Sequence, residues 1–590
     1  MIRIANFAGE IPRAIPRLLS DNYAQIAANT KLENGALLPV RRGRYAYRLP
    51  QEADTIYLDG DTWLSWEGVF DVVPAPVAEN RLYVTGGPVP QIIVDGVTYP
   101  LAVPMPLNAV DTTVTGVINP ALQETILYTY TWVTDFDEES EPAPASDGVL
   151  WSPGLPITIS GFSDPPEGRA ISKMRIYRSQ TSASGDTTFY FIHERIATAS
   201  NYVDVPASNP IVEPLPSTDY NQPPVGLTGI TALHNGMLAG FVGKKLYFSE
   251  PYKPHAWPEK YVLTMNFNII GLGSFASCVA IMTDGCPYVC QGSAPENMTQ
   301  ERIEVNLPCI NAQGIVDLGY SVAYPSTQGL VTISSSGAVV VSASMFTQDQ
   351  WRSMSPESFI AAQYAGRYMA AYRYKDALGV EQSGILIIDM AGAPPFIMRA
   401  SDDCEAMFFQ LGTGRLYILR NGRDIYEWDS ISEPFGELLW RSKRFVLTTL
   451  DNYGCILVEG EAANIYGDAE TDKQRKEDNA ELIRTWKTRG PIGDAAVGIV
   501  PVGGSKIKPL INPNGGTTDG SMPGTPISSQ DSFSATVYAD GKPLHTIYEI
   551  NKACRLPSGI LAKTWEIEIR ATIMVTGISL CHSPSELAEG

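Results

Sequence analysis

The chain has 590 residues, of which 44% are apolar and 18% charged, and a formal net charge of −21. Apolar content of that size excludes a disordered chain, and the length exceeds what one core usually serves. No run approaches the ~18 apolar residues of a membrane helix, and residues 1–10 lack a secretory signal's apolar core, so the chain reads as soluble, cytoplasmic at synthesis and not inserted in a membrane. Abundant aromatics with 51 Gly and 44 Pro favour short strands and turns, an all-β class.

Residues 1–50 read as a basic arm. Eight basic residues stand there against three acidic ones, a net of +5, so the remaining 540 residues carry −26. The triplet Ile-Pro-Arg occurs at 11–13 and again at 15–17, and Pro keeps such a segment extended and off a β-ladder. A short helix is expected over Asn22–Asn29. Two destinations are open to the arm: its own chain, or a neighbouring subunit whose acidic surface meets Arg13, Arg17, Arg41 and Arg42.

Residues 51–106 read as short strands with Asp-Gly turns at 59–60 and 95–96, to be counted with the propeller that follows or beside it. Residues 107–212 alternate like a fibronectin-like β-sandwich, with Tyr128, Tyr130 and Trp132 on one strand face. The acidic run Asp135–Glu141 lacks the glycine and spacing of an EF-hand and reads as a solvated loop. Residues 213–445 hold five hairpins, Met237–Ser249, Cys278–Gln291, Leu330–Ser342, Tyr368–Asp389 and Arg415–Trp428. The units begin near 229, 276, 316, 359 and 402, a period of about 43 residues, which predicts a β-propeller of about five to six blades. A stack of sandwiches is the alternative.

Residues 446–590 read as a C-terminal β-unit interrupted by an insertion at 463–531. Its first part, about 470–487, has helical character, and 490–529 is rich in Gly, Pro, Ser and Thr. Lys473, Arg475, Lys476, Lys506 and Lys508 mark it as a candidate channel or gate element. In Thr564–Arg570 apolar residues alternate with charged ones, the pattern of a half-buried strand.

Catalytic chemistry is not visible. The five histidines form no H-E-x-x-H, and no G-x-S-x-G elbow, Walker A loop or strand-borne G-x-G-x-x-G occurs. The eight cysteines include no C-x-x-C pair and read as reduced core residues. No catalytic, cofactor-binding or metal-ligating residue is singled out, and neither enzyme activity nor a cofactor is expected. Ser249–Pro258, with three prolines and stacked aromatics, reads as a loop pinning two blades.

Five segments, in order along nearly the whole chain, carry a resemblance. They are Gly9–Leu19 with Leu32–Leu37, Arg81–Gly86, Met174–Ser179, Ser249–Pro258, and Arg555–Gly559 with Trp565–Glu568. Together they resemble virion structural proteins of tailed bacteriophages, and the module order is similar to that of the tail tubular, or nozzle, proteins of short-tailed phages. The resemblance implies a propeller carrying inserted β-domains, and a homohexameric ring below the portal and adaptor through which genomic dsDNA passes at ejection. It further implies a place in the virion tail, tail fibres as neighbours, and only transient, sequence-independent contact with DNA. An acidic body suits such a conduit, because phosphate affinity comes from Lys and Arg. The alternative of another class is a receptor-binding or polysaccharide-degrading tail protein.

Overall fold

The computed structural model describes residues 1–32, 34–74, 76–181, 187–206, 213–375, 379–390, 394–461 and 532–586. The protein is all-β. Among the described residues the one α-helix is Gln348–Ser353, capped by Thr347, whose hydroxyl accepts from Gln350 N.

Seven sheets follow one another along the chain. The first is the hairpin Thr55–Asp59 with Thr62–Trp66. The second runs from Asp71–Pro74 to Val97–Pro100, and the third from Thr228–Ala232 to Leu263–Thr264. The fourth, fifth and sixth begin at Ile269–Phe275, Val316–Asp317 and Ile360–Tyr364. The seventh begins at Ala406–Gln410, and its fourth strand is Arg44–Arg48 from the other end of the chain. Local turn chemistry sets the hairpins. Asn421 and Gly422, for example, have φ of 53° and 68°, as the turn between Arg415–Arg420 and Asp424–Glu427 requires.

Each sheet buries one face against the next. Tyr57, Leu64 and Trp66 of the first meet Leu82, Val84 and Ile93 of the second. Ile92 and Val94 meet Ile230 and Leu238 of the third, and Phe241 and Leu246 meet Val279 and Ile281 of the fourth. Met282 packs with Val331, Ala323 with Leu386, and Met369 with Leu416, which carries the series to the seventh sheet. Leu419 and Ile425 of the seventh then pack on Ile56 and Trp63 of the first. Cores of apolar residues on both strand faces, each worth about 1.5–3 kcal/mol of transfer, therefore link neighbour to neighbour.

Between the second and third sheets stands a separate core. The strands Asp111–Val114, Ile157–Ser160 and Tyr202–Asp204 form one sheet, and Tyr128–Thr134, Ile171–Thr181 and Thr187–Ile196 another. Tyr128, Tyr130, Trp132, Ile157, Ile159 and Met174 fill the space between them. The Thr face of Tyr128–Thr134 is buried as well, because the chain after it folds back: Thr129 Oγ1 donates to Ala143 O and Thr131 Oγ1 to Glu139 Oε1.

The chain's ends are built into the largest core. Ile2–Ile4 pairs with Met574–Cys581, which also pairs with Cys455–Glu461. The segment expected as a helix at Asn22–Asn29 is the strand Ala24–Ala28, held between Phe396–Ala400 and Leu438–Ser442 in a ten-stranded sheet that continues through Ala562–Ala571. A slot between two ladders overrides the weak helix preference of Ala-Gln-Ile-Ala-Ala. Gly9 is needed beside it, since a Cβ there would collide with Ile397 O and the Phe396 ring. The strand Ala562–Ala571 is half-buried as its alternation implies, with Trp565, Ile567 and Ile569 in the core and Lys563 and Arg570 exposed, except that Glu566 on the outer face is buried too.

Candidate functional site

The first strands of the sheets converge on one cavity of about 330 Å3. Thr55, Asp71, Thr228, Gly271, Ile315, Ile360 and Ala406 all line it, one from each sheet or the residue just before its first strand. Small residues such as Gly229, Gly271, Ala312 and Ala361 keep it open, and Gly229 adopts φ of 67° there. Its ionisable lining residues are Asp54 and Asp71. Asp71 Oδ2 accepts from Gly229 N at 3.0 Å. Burial pushes the Asp71 carboxyl up to about 6, against the pull of that hydrogen bond.

A second polar centre lies where the inserted sandwich meets the second and third sheets. The run Asp135–Glu141 is solvated only in its first half, where Asp135 and Asp137 are exposed. Glu138 and Glu139 are 4% and 5% exposed, and each has an arginine brought from the strand region 31 and 36 residues further on. Arg169 Nη2 donates to Glu138 Oε2 at 2.5 Å, and Arg175 Nη1 to Glu139 Oε2 at 2.9 Å. Tyr177 Oη and Thr131 Oγ1 also donate to Glu139 Oε1, at 2.6 and 2.8 Å. Arg169 further reaches the carbonyls of Leu101 and Ala102 at the exit of the second sheet, so one guanidinium spans two units.

His255 completes the junction from the loop Ser249–Pro258. Its Nε2 lies 3.0 Å from Glu139 O, and its ring meets Tyr220 edge-on. Burial pulls the imidazole down to about 4, the Glu138 charge opposing and the Arg169 charge assisting. Trp257 in the same loop joins the core between the second and third sheets. The loop therefore seats the sandwich on its neighbours. Arg81, Tyr83, Glu138 and His255 each fall inside a segment conspicuous in the sequence, but their meeting depends on contacts across more than 100 residues, which no local pattern carries.

Of the four candidate inter-subunit arginines, two bond to the chain's own backbone through their side chains and two present theirs to solvent. Arg13 Nη1 donates to Ala343 O at 2.6 Å. Arg41 donates to Glu433 O and lies over the Phe435 ring at 4.0 Å. Arg17 and Arg42 are exposed, with Arg42 N donating to Pro434 O. Around them, Glu10 pairs with Arg399 and accepts from Ala27 N. Glu566 is held by Arg441, Arg444 and Gln25. Burial raises the Glu566 carboxyl, but Gln25 and the two arginines outweigh it and hold it below its ordinary range. Lys473, Arg475, Lys476, Lys506 and Lys508 lie outside the described residues.

Among the described residues no group of three or more His, Cys, Asp or Glu is placed to hold a metal, and no helix is long and apolar enough to cross a membrane. No family model matches the chain, and no curated protein matches it. Among solved structures, the chain is similar to PorZ, a surface component of the type-IX secretion system of Porphyromonas gingivalis. The TM-score there is 0.20 at 10% identity, over 67% of this chain and 44% of that one. It is also similar to the extracellular domain of the hybrid two-component system BT4673 from B. thetaiotaomicron, with a TM-score of 0.19 at 6% identity, over 94% and 60%. The chain thus spans less than two thirds of either, and nothing is carried over from them.

Proposed function

We propose that the chain is a structural subunit of the short tail of a bacteriophage, one of six copies forming the nozzle ring below portal and adaptor. The observation that carries this reading is the way distant parts of the chain are locked into one body. Ion pairs made by buried carboxylates tie the N-terminal segment (Glu10–Arg399), the C-terminal strand (Glu566 with Arg441 and Arg444) and the inserted sandwich (Glu138–Arg169) to the sheets. Such a body resists deformation; it is not built to open around a substrate. The net charge of −26 beyond residue 50 supports a surface that DNA passes without adhering.

The same reading takes the seven sheets as the blades of a β-propeller, two more than the lower sequence expectation, with the sandwich inserted after the second blade. Supporting it are the seven inter-sheet cores, the last returning to the first, and the cavity at which the first strands meet. That cavity does not serve as the DNA path. A duplex whose major groove alone is about 12 Å wide has no room in 330 Å3, so the bore lies between copies.

The test is assembly of phage particles without this chain. The reading predicts filled heads that lose their DNA and carry no tail tip. Fully tailed, infectious particles overturn it, and depolymerisation of host polysaccharide by the purified chain transfers it to the receptor-binding class.

A further inference from the structure

Glu138 sits at the seam of three units, with Arg81 and Tyr83 reaching it from the second sheet, Arg169 from the sandwich and His255 from the loop after the third sheet. Its Oε2 is satisfied by Arg169. Its Oε1 is 3.9 Å from His255 Nδ1 and 4.0 Å from Arg81 Nη1, beyond direct hydrogen-bond reach and near the span of two bonds through one intervening atom. Four polar side-chain atoms of this junction lack a partner: Arg81 Nε, Glu138 Oε1, Arg169 Nη1 and His255 Nδ1. Tyr83, Glu138, Arg169 and His255 are each more than nine-tenths buried. The Tyr83 hydroxyl stands beside them, engaged by a hydrogen bond with Arg81.

We propose that this junction is a built binding site for a single water molecule, which joins the sandwich to the second and third sheets. The chemistry of the four atoms selects the occupant. His255 Nε2 faces a carbonyl oxygen and so carries the ring proton, which leaves Nδ1 an acceptor. Glu138 Oε1 is the second acceptor, and Arg81 Nε and Arg169 Nη1 are donors. A halide accepts only, and would lie against the Glu138 carboxylate. A metal cation would suit the two acceptors but meet two guanidinium charges. Water does both: its hydrogens go to Glu138 Oε1 and His255 Nδ1, and its oxygen accepts from the two guanidinium donors, four partners in all, as conserved internal water makes.

Collapse to direct contact is opposed by the neighbours. Arg169 is anchored to Leu101 O and Ala102 O, Arg81 to Phe136 O, and His255 to Glu139 O. The site is independent of the tail reading, since it concerns only how this chain seats its own sandwich.

The experiment is an experimental density map of the full chain at a resolution that shows ordered water, from crystals with and without a bromide soak. The expected result is one peak within about 2.6–3.2 Å of both Glu138 Oε1 and His255 Nδ1, with no anomalous signal after bromide. A bromide peak at the site makes it an anion site and overturns the proposal. So does a map with no peak there.

Discussion

Replacing Arg169 by Met removes the guanidinium that pairs with Glu138 and bonds two carbonyls of the second sheet's exit. Glu138 stays 96% shielded and keeps only the Arg81 guanidinium at 4.0 Å, with no charged hydrogen bond, so most of the ~3–5 kcal/mol cost of breaking a buried pair is felt. The carbonyls of Leu101 and Ala102 lose a donor as well, while the Met stem recovers part of the packing. Docking of the sandwich therefore weakens by about 4 kcal/mol, which at 1.4 kcal/mol per decade raises local opening about a thousandfold. Amide exchange over residues 97–102 and 134–140 reads that opening directly. The double variant Arg169→Met/Glu138→Leu removes both charges and should return to within about 2 kcal/mol of the parent, because a buried pair is replaceable by apolar side chains of similar volume. Parent-like exchange in the single variant, or a double variant as open as the single, refutes the reasoning.

Three further outcomes follow from the same physics. Asp71 has a raised folded pKa, so its penalty appears as pH climbs from about 4 to 6, whereas neutral His255 has a lowered one, so its penalty appears as pH falls from 6.5 to about 4. The two slopes oppose one another, each about 3 kcal/mol in size. Asp71→Asn should leave denaturation midpoints that rise with pH over 4–6.5, and His255→Gln midpoints that fall; pH profiles parallel to the parent's would show that neither group is shifted. Phe7→Ala, which removes a ring 5.0 Å from Trp440 in a fully enclosed position, should cost about 3–5 kcal/mol of unfolding free energy in the isolated chain. A change seen only in assembly would instead place this segment on a neighbour. Thiol titration without reductant should count eight cysteines in denaturant and no more than three, Cys278, Cys286 and Cys554, in the native protein.

What was legible in the sequence was local. Hairpins closed by Asn421-Gly422 or Gly243-Lys244 declare themselves because the turn and both flanking strands lie within about fifteen residues. The strand starts at Thr228, Ile269, Val316, Ile360 and Ala406 keep the period that the hairpins suggest. Long-range pairing was not legible. Ala24–Ala28 reads as helix until Leu438–Ser442 and Phe396–Ala400 are placed on either side of it, and Arg44–Arg48 reads as part of a basic arm until it completes the seventh sheet. The alternation around Glu566 shows the apolar face of its strand, but not that Gln25, Arg441 and Arg444 cover the other.

The candidate sites were harder still. Asp135–Glu141 looks solvated because its arginine partners come from later strands, so nothing within the run reveals that Glu138 is buried. The cavity is bounded by Gly229, Gly271, Ala312 and Ala361, whose value is the space they leave, and small residues at spacings of 40 or more produce no motif. Buried charge met by an opposite charge from far along the chain is the recurring device of this protein, and only folding brings the halves together.

The tail-subunit reading stands on the position of this chain in a particle. A cryo-electron microscopy reconstruction of purified phage should place six copies in a ring beneath the portal and adaptor, their acidic faces toward the bore and each sandwich seated on its own chain. Copies arranged as trimeric fibres or within the capsid shell, or a particle that lacks the chain altogether, would contradict it.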